Sequence, residues 1–340
     1  MNTGGPLLLA LALSVSLSNG AAAQTPWEET EGVGDEPVST FSIVAFDPET
    51  GELGVGIQSR AFRAGAIVPF AKAGLGAIAT QASANEAYGP EGLRLLSQGA
   101  SPAEVVRRLT TNDVGGASRQ LAVIDARGRV KAYTGSETSD WNGHIEGENY
   151  SVQGNILAGE EVVQAMARTF EASDGTLAER MMDALDAGQA AGGDARGKQA
   201  GGIFVVKPIG DDPSRDDDLW VDIRVDDHPE PFVEMRRLLG MAVARNHSRR
   251  ADALATEGRH TEAFRAQRRA IELQPENARY YYGLAELHAR AGEGDEAVRA
   301  LAEAIEREER YRERAAEDSD FDSIRSNSGF AELIDPRRER

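Results

Sequence analysis

A chain of 340 residues is long enough for one large domain and a smaller companion, and 41% hydrophobic with 27% charged residues allow it to bury a core. Its formal net charge of -19, interrupted by no basic stripe, repels phosphate backbones and acidic lipid surfaces, which argues against a nucleic-acid partner. Cysteine is absent, so disulfides, thiolate catalysis and cysteine metal sites are excluded.

Residues 6–17 form a short apolar run, followed by Ser18-Asn-Gly20 and Ala21-Ala-Ala23, the small-residue pattern that precedes signal-peptidase cleavage. The run is shorter than the ~20 apolar residues of a spanning helix. A signal peptide over residues 1–23, cut after Ala23, is therefore expected, although Met1-Asn-Thr-Gly-Gly carries no Lys or Arg. The mature protein is then exported, periplasmic or secreted, without a membrane span. Residues 24–39 are polar and acidic and include Pro26, Gly32, Gly34 and Pro37, as a tether would.

From Thr40 the pattern changes to strands. Phe41, Ile43 and Ala45 alternate with Ser42, Val44 and Phe46; Asp47-Pro-Glu-Thr-Gly51 supplies turn chemistry, and Leu53, Val55 and Ile57 resume the period of two. Segments 65–70 and 74–80 read as short pieces around tight turns, the second a buried strand. Leu93, Leu96, Val105, Val106 and Leu109 fall at helical spacing, broken at Gly99 and restarted at Ser101-Pro-Ala-Glu104, which has the form of a capping box. Segments 120–125 and 130–133 predict a second hairpin, 159–170 and 177–187 two helices, and 203–206 and 219–225 two closing strands. This order fits an α+β fold, a four-layer αββα sandwich over residues 40–228 with helices outside two antiparallel sheets.

A connecting helix is expected over 229–245 and tetratricopeptide-like repeats over 246–335. Ala251, Ala255, Gly258, Glu262, Ala263, Ala270 and Ile271 recur 34 positions later as Ala285, Ala289, Gly292, Glu296, Ala297, Ala304 and Ile305. Small residues let paired helices pack closely, each glycine ends a first helix, and Pro275 separates the repeats. Two repeats need support from the first domain, from a leading helix over 235–243 or from a closing helix over 330–334.

Several ordered motifs carry a resemblance to a known family: Thr40-Phe-Ser-Ile-Val, Gln58-Ser-Arg60, Gly74-Leu-Gly-Ala-Ile-Ala-Thr-Gln81, Tyr88-Gly-Pro-Glu-Gly92, Gln153-Gly-Asn155, Gly192-Gly-Asp-Ala-Arg-Gly-Lys-Gln199 and Val225-Asp-Asp-His-Pro229. Residues 40–239 resemble the bacterial family known as domain of unknown function 1028. The resemblance implies a fold of the N-terminal-nucleophile hydrolase type, in which a hydroxyl residue at the head of the first strand attacks an amide carbonyl while its own α-amine accepts the proton. Thr40 occupies that place once the bond to Ser39 is cut. Relatives that begin Met-Thr-Phe reach the same state by loss of methionine. Lys72, whose offset from Thr40 resembles that of the catalytic lysine in proteasome-type subunits, would keep the amine unprotonated, or is a solvated surface lysine. Arg60 either meets a substrate carboxylate or forms a structural salt bridge.

Donors for an oxyanion, or substrate contacts, are sought in Ser59, Thr80, Gln81, Asn85 and Asn155, with Asn155 placed in a turn; Asp194 and Arg196 pin the backbone or line the pocket. Ser42 shares the strand face of Thr40 and is the alternative nucleophile, with Ser39 beside it. The loop over 192–199 lacks the Ser or Thr of a phosphate loop, since Gln199 stands there, and nucleotide binding is rejected. The 5 histidines, His144, His228, His247, His260 and His288, have no metal-ligand spacing, so neither metal nor other cofactor is expected. The expected activity is hydrolysis of a small amide or peptide-like substrate. The alternative is a non-catalytic scaffold whose repeats recruit a protein, peptide or cell-wall partner, and exposed sheet edges or repeats also allow a homo-oligomer.

Overall fold

The computed structural model describes Met1, residues 40–207 and residues 219–335. The expected leader, its cut after Ala23, the tether and Ser39 lie outside the described residues. Everything described from Thr40 onward belongs to one compact unit.

The first hairpin pairs β1 (Thr40–Phe46) with β2 (Leu53–Ser59), Thr40 opposite Ser59. Its turn closes as the residue types require: Asp47 Oδ1 accepts from the Glu49 amide at 2.9 Å, and Gly51 takes φ 73°, open to glycine without strain. A short helix α1 (Ala64–Ile67) leads to β3 (Pro69–Lys72) and β4 (Gly76–Ala82). Helices α2 (Tyr88–Ser97) and α3 (Pro102–Thr111) follow, parted at Gly99 with φ 88°. Only half of the expected capping box forms at α3. Ser101 Oγ accepts from the Glu104 amide at 3.3 Å, but the Glu104 carboxylate turns outward to Arg108.

The remaining strands are β5 (Arg119–Asp125), β6 (Val130–Thr134), β7 (Gly143–Gly147), β8 (Tyr150–Asn155), β9 (Ala200–Val206) and β10 (Leu219–Val225), with α4 (Glu161–Ala172) and α5 (Leu177–Ala190) between β8 and β9. They form a six-stranded sheet in the order β10-β9-β2-β1-β8-β7 and a four-stranded sheet in the order β3-β4-β5-β6. All neighbours are antiparallel.

Alternation sends each strand's residues into two different cores. Phe41, Ile43, Val152 and Ile203 pack against Val163 and Met166 of α4 and Met181 and Leu185 of α5. Val44, Val55 and Ile57 meet Ala77, Ala79, Ala122 and Ile124 of the smaller sheet. Ile78, Leu121 and Val123 take Leu95 and Leu96 of α2 and Val105 and Leu109 of α3. A fully buried side chain of these types contributes about 1.5–3 kcal/mol, so both faces of β1, β4 and β5 hold the domain together. The N-terminal part is thus mixed α+β with two antiparallel sheets, and the C-terminal part is all helical.

Two further features depart from the sequence expectation. Gln153-Gly-Asn155 lies in β8, a central strand beside β1, and not in a turn. The helix starting at Pro231 also does not stop at the expected boundary at 245. It continues as one 26-residue helix, α6 (Pro231–Thr256), whose Met235, Leu239 and Val243 belong to the α+β core while Ala251 and Leu254 belong to the helical one.

Beyond it come α7 (His260–Leu273), α8 (Ala278–Arg290), α9 (Gly294–Arg307), α10 (Arg310–Glu317) and α11 (Ser328–Ile334). Gly258 and Gly292 end α6 and α8 with φ 77° and 78°, so the repeated glycines perform the same left-handed stop. The expected closing helix is α11, whose Phe330 is fully buried against Phe321.

Candidate active site

Thr40 stands at the first position of β1, fully buried, between Ser59 of β2 and Asn155 of β8. Its Oγ1 donates to Ser59 Oγ at 3.2 Å, and Ser59 Oγ in turn accepts from the Ala61 amide at 3.0 Å. The Thr40 carbonyl accepts from Gln81 Nε2 at 3.3 Å and Asn155 Nδ2 at 3.5 Å. Gln81 reaches it from β4, so this is where the polar ends of the two sheets meet.

Two residues further along the same face, Ser42 Oγ donates to Gln81 Oε1 at 2.5 Å and accepts from Gln153 Nε2 at 2.6 Å. The hydrogen bonds that link these side chains to one another use hydroxyls and amides, with no carboxylate or ammonium among them. Burial is tolerated because the groups satisfy each other. The chain leaves the site sharply: Ala82, after Gln81, has φ 65°, and Ile156, after Asn155, has φ 51°. Left-handed backbone costs a non-glycine residue roughly 1–2 kcal/mol, so the packing of both strand ends holds it in place.

The loop before β9 closes one side. Asp194, 2% exposed, accepts from the Arg60 amide at 2.9 Å and the Arg196 amide at 2.8 Å, and its carboxylate pairs with the Arg196 guanidinium at 3.4 Å. Asp194 also bridges Leu157, two residues past Asn155. This carboxylate therefore pins three chain segments at the end of the sheet that carries Thr40. The Arg60 guanidinium donates to Gln199 Oε1 at 2.8 Å, not to an acid.

Three expected site residues are placed elsewhere. Lys72 pairs with Gly76, and Gln81 lies five positions further along β4, about 16 Å at ~3.3 Å per residue. Lys72 also shares the parity of Phe70, which packs with the α2–α3 core, so its side chain leaves the sheet on the face opposite Thr40. Thr80 is on that outer face too, next to Gln81 but turned away from it, and exchanges contacts of 3.4 Å with the backbone of Asn85. Asn85 donates to Asp113 at 3.3 Å and lines a hollow of about 450 Å³ between α2 and α3. Tyr88, which also lines it, and Arg119 at the start of β5 both bond the Asp113 carboxylate; the Arg119 guanidinium foremost holds its pKa well below the usual range.

Gln153, part of the motif that ends at Asn155, joins the junction from β8, whereas Gln120 escaped the sequence reading. The available signal was a glutamine inside an apolar strand run, as in Gln120-Leu-Ala-Val-Ile, where a fully buried polar side chain needs partners. Among the described residues the acidic cluster Glu286, Asp318 and Asp320 is the one grouped closely enough to hold an ion, its ligand atoms within 4.8 Å of one another. Tyr282 and Arg314 already engage it.

A two-sheet α+β domain with a buried polar junction at the head of its first strand, followed by helical repeats, defines the class of molecule. The chain belongs to the family of unknown function DUF1028, whose model matches residues 40–235. A tetratricopeptide repeat model matches residues 254–317. The crystal structure of a protein from Silicibacter pomeroyi, assigned to DUF1028, has 34% sequence identity and a TM-score of 0.55 over 60% of this chain and 86% of that one. No curated protein matches the chain.

Proposed function

We propose that the α+β domain is a four-layer αββα sandwich of the N-terminal-nucleophile hydrolase type and that it cleaves an amide or peptide-like bond once the Ser39–Thr40 bond is broken. One observation carries this reading: β1 and the family match both begin at residue 40, where the hydroxyl is buried and held from three strands. The apolar cores on both outer faces of the sheets support the layering.

In this mechanism Thr40 Oγ1 attacks the substrate carbonyl and its proton passes to the freed α-amine. The C–N bond of the tetrahedral intermediate breaks, the leaving nitrogen takes that proton, and water hydrolyses the threonyl ester. Lys72 is too distant to tune the amine. Desolvation among neutral amides disfavours the ammonium form instead, which leaves a free base near neutral pH. Gln81 and Asn155 hold the Thr40 carbonyl, so the hydroxyl and amine share a fixed frame. We place the active form outside the cytoplasm, after removal of the leader.

A chain made with a removable leader that exposes Thr40 tests this reading. An epoxyketone, which closes a ring on the hydroxyl and amine of one terminal threonine, is expected to add to it and not to Thr40→Ala or to the uncut chain, as read by intact mass. No adduct and no cleavage across a panel of acyl amides would overturn catalysis. The second reading, a scaffold, rests on the tetratricopeptide match over 254–317. It predicts that an exported partner is retained by the helical region whether or not residue 40 is freed.

A further inference from the structure

We propose that Gln120 is the positioning residue of this site, its amide dictating which way the Gln81 and Asn155 amides face and thereby where Thr40 is held. The inference rests on the reading of Thr40 as the nucleophile. Gln120 is fully buried on β5, opposite Gln81 in the register of the smaller sheet. The two hydrogens on its Nε2 are shared among three acceptors, the carbonyls of Gly154 at 2.8 Å and Gly143 at 3.2 Å and Thr134 Oγ1 at 2.9 Å. Backbone carbonyls can only accept, so the nitrogen end of this side chain is fixed by the other sheet and the oxygen end must face inward.

That oxygen accepts from Gln81 Nε2 at 2.7 Å and from Asn155 Nδ2 at 3.1 Å. Each amide NH₂ carries two hydrogens. One is taken by Gln120 Oε1 and the other points at the Thr40 carbonyl, the geometry recorded at 3.3 Å and 3.5 Å. The orientation of Gln81 in turn presents Oε1 to the Ser42 hydroxyl. One amide anchored on β7 and β8 thus fixes the donor direction of two others, which come from opposite sheets and converge on one carbonyl. Gln120 touches neither the Thr40 hydroxyl nor its nitrogen, so it acts through Gln81 and Asn155.

The test uses full-length protein with Thr40 exposed and follows the epoxyketone adduct rate against pH. Gln120→Met keeps the length but removes every hydrogen bond, and labelling is expected to slow by on the order of tenfold or more through misplacement of the nucleophile. Gln120→Glu can reproduce the pattern only when protonated, with its hydroxyl toward Gly143 or Gly154 and its carbonyl inward. Its rate relative to wild type is expected to fall as pH rises from about 5 to about 8, because the carboxylate faces backbone carbonyls. Because a buried carboxylate also weakens the fold as pH rises, thermal melts of both variants over the same pH range establish that the labelled protein is folded. Gln120→Met labelling within about twofold of wild type overturns the inference, as does a Gln120→Glu ratio that stays flat with pH. A wild-type chain that takes no label is a different result; it removes the Thr40 reading itself and this inference with it.

Discussion

Ser42 shows how a single buried hydroxyl is committed. It both donates to Gln81 and accepts from Gln153, so Ser42→Ala leaves an acceptor and a donor without partners, each costing about 1–3 kcal/mol. A urea denaturation series is expected to show the loss, whereas Thr80→Val, which removes only contacts of 3.4 Å on the other face of the domain, is expected to cost less than about 1 kcal/mol. Equal losses would mean that the polar junction is not cooperative. Glu286 marks the helical region differently. Burial first, and then the charges of Asp318, Asp320 and Asp252, hold its carboxyl up to about 7 against an ordinary 4.5, with Arg314 opposing them. A carboxyl that binds its proton more tightly when folded stabilises the fold fully below about pH 4.5 and loses that contribution as pH rises through about 7. Glu286→Gln is therefore expected to flatten the pH dependence of stability by on the order of 1–2 kcal/mol between about pH 5 and 8, as measured by thermal melts.

At the scale of elements, close approach between α2 and β3 depends on a missing side chain. A Cβ at Gly89 would come within 2.1 Å of the Phe70 ring, so Gly89→Ala must displace the ring or lift the first turn of α2. An overpacking cost of about 1–3 kcal/mol is expected, and the midpoint of a denaturation curve checks it. The strands β1, β2, β5 and β10 were legible because apolar residues run through them or alternate along them and their turns carry Gly or Asp. β7 and β8 were not. Gly143-His-Ile-Glu-Gly147 and Tyr150-Ser-Val-Gln-Gly-Asn155 put polar side chains on the face that meets the other sheet and glycines on the face that meets the helices, which weakens the period-two signal. The same polarity is what builds the site.

For the whole molecule, α6 decides how the two regions respond to stress. One uninterrupted helix contributes Leu239 and Val243 to one core and Leu254 to another, so unfolding of either region strips partners from the other. Arg236 strengthens the join by bonding Asp183 and Asp186 of α5. Arg245 is an exposed residue of this helix, and Arg245→Pro alters little beyond the backbone, at a cost of about 3 kcal/mol or more. Calorimetry is expected to show one transition for the parent chain and two for the variant. A variant that still melts in one step would show that α7 and α8 follow the α+β domain through other contacts.

Local patterns in the chain determined the first hairpin, the breaks at Gly51 and Gly99, the helical repeat at an offset of 34 and the motifs shared with the family, because each depends on residues near one another. Membership of the family and the place of Thr40 at the head of β1 were readable in the same way. Only tertiary structure decided that Gln81, Gln120, Gln153 and Asn155 converge, that Thr80 faces the other way and that Lys72 lies at the far end of its sheet. Those outcomes depend on strand register and on how two sheets dock. A shift of one residue in register reverses every side chain, and no periodicity within a single strand records which face another sheet will cover.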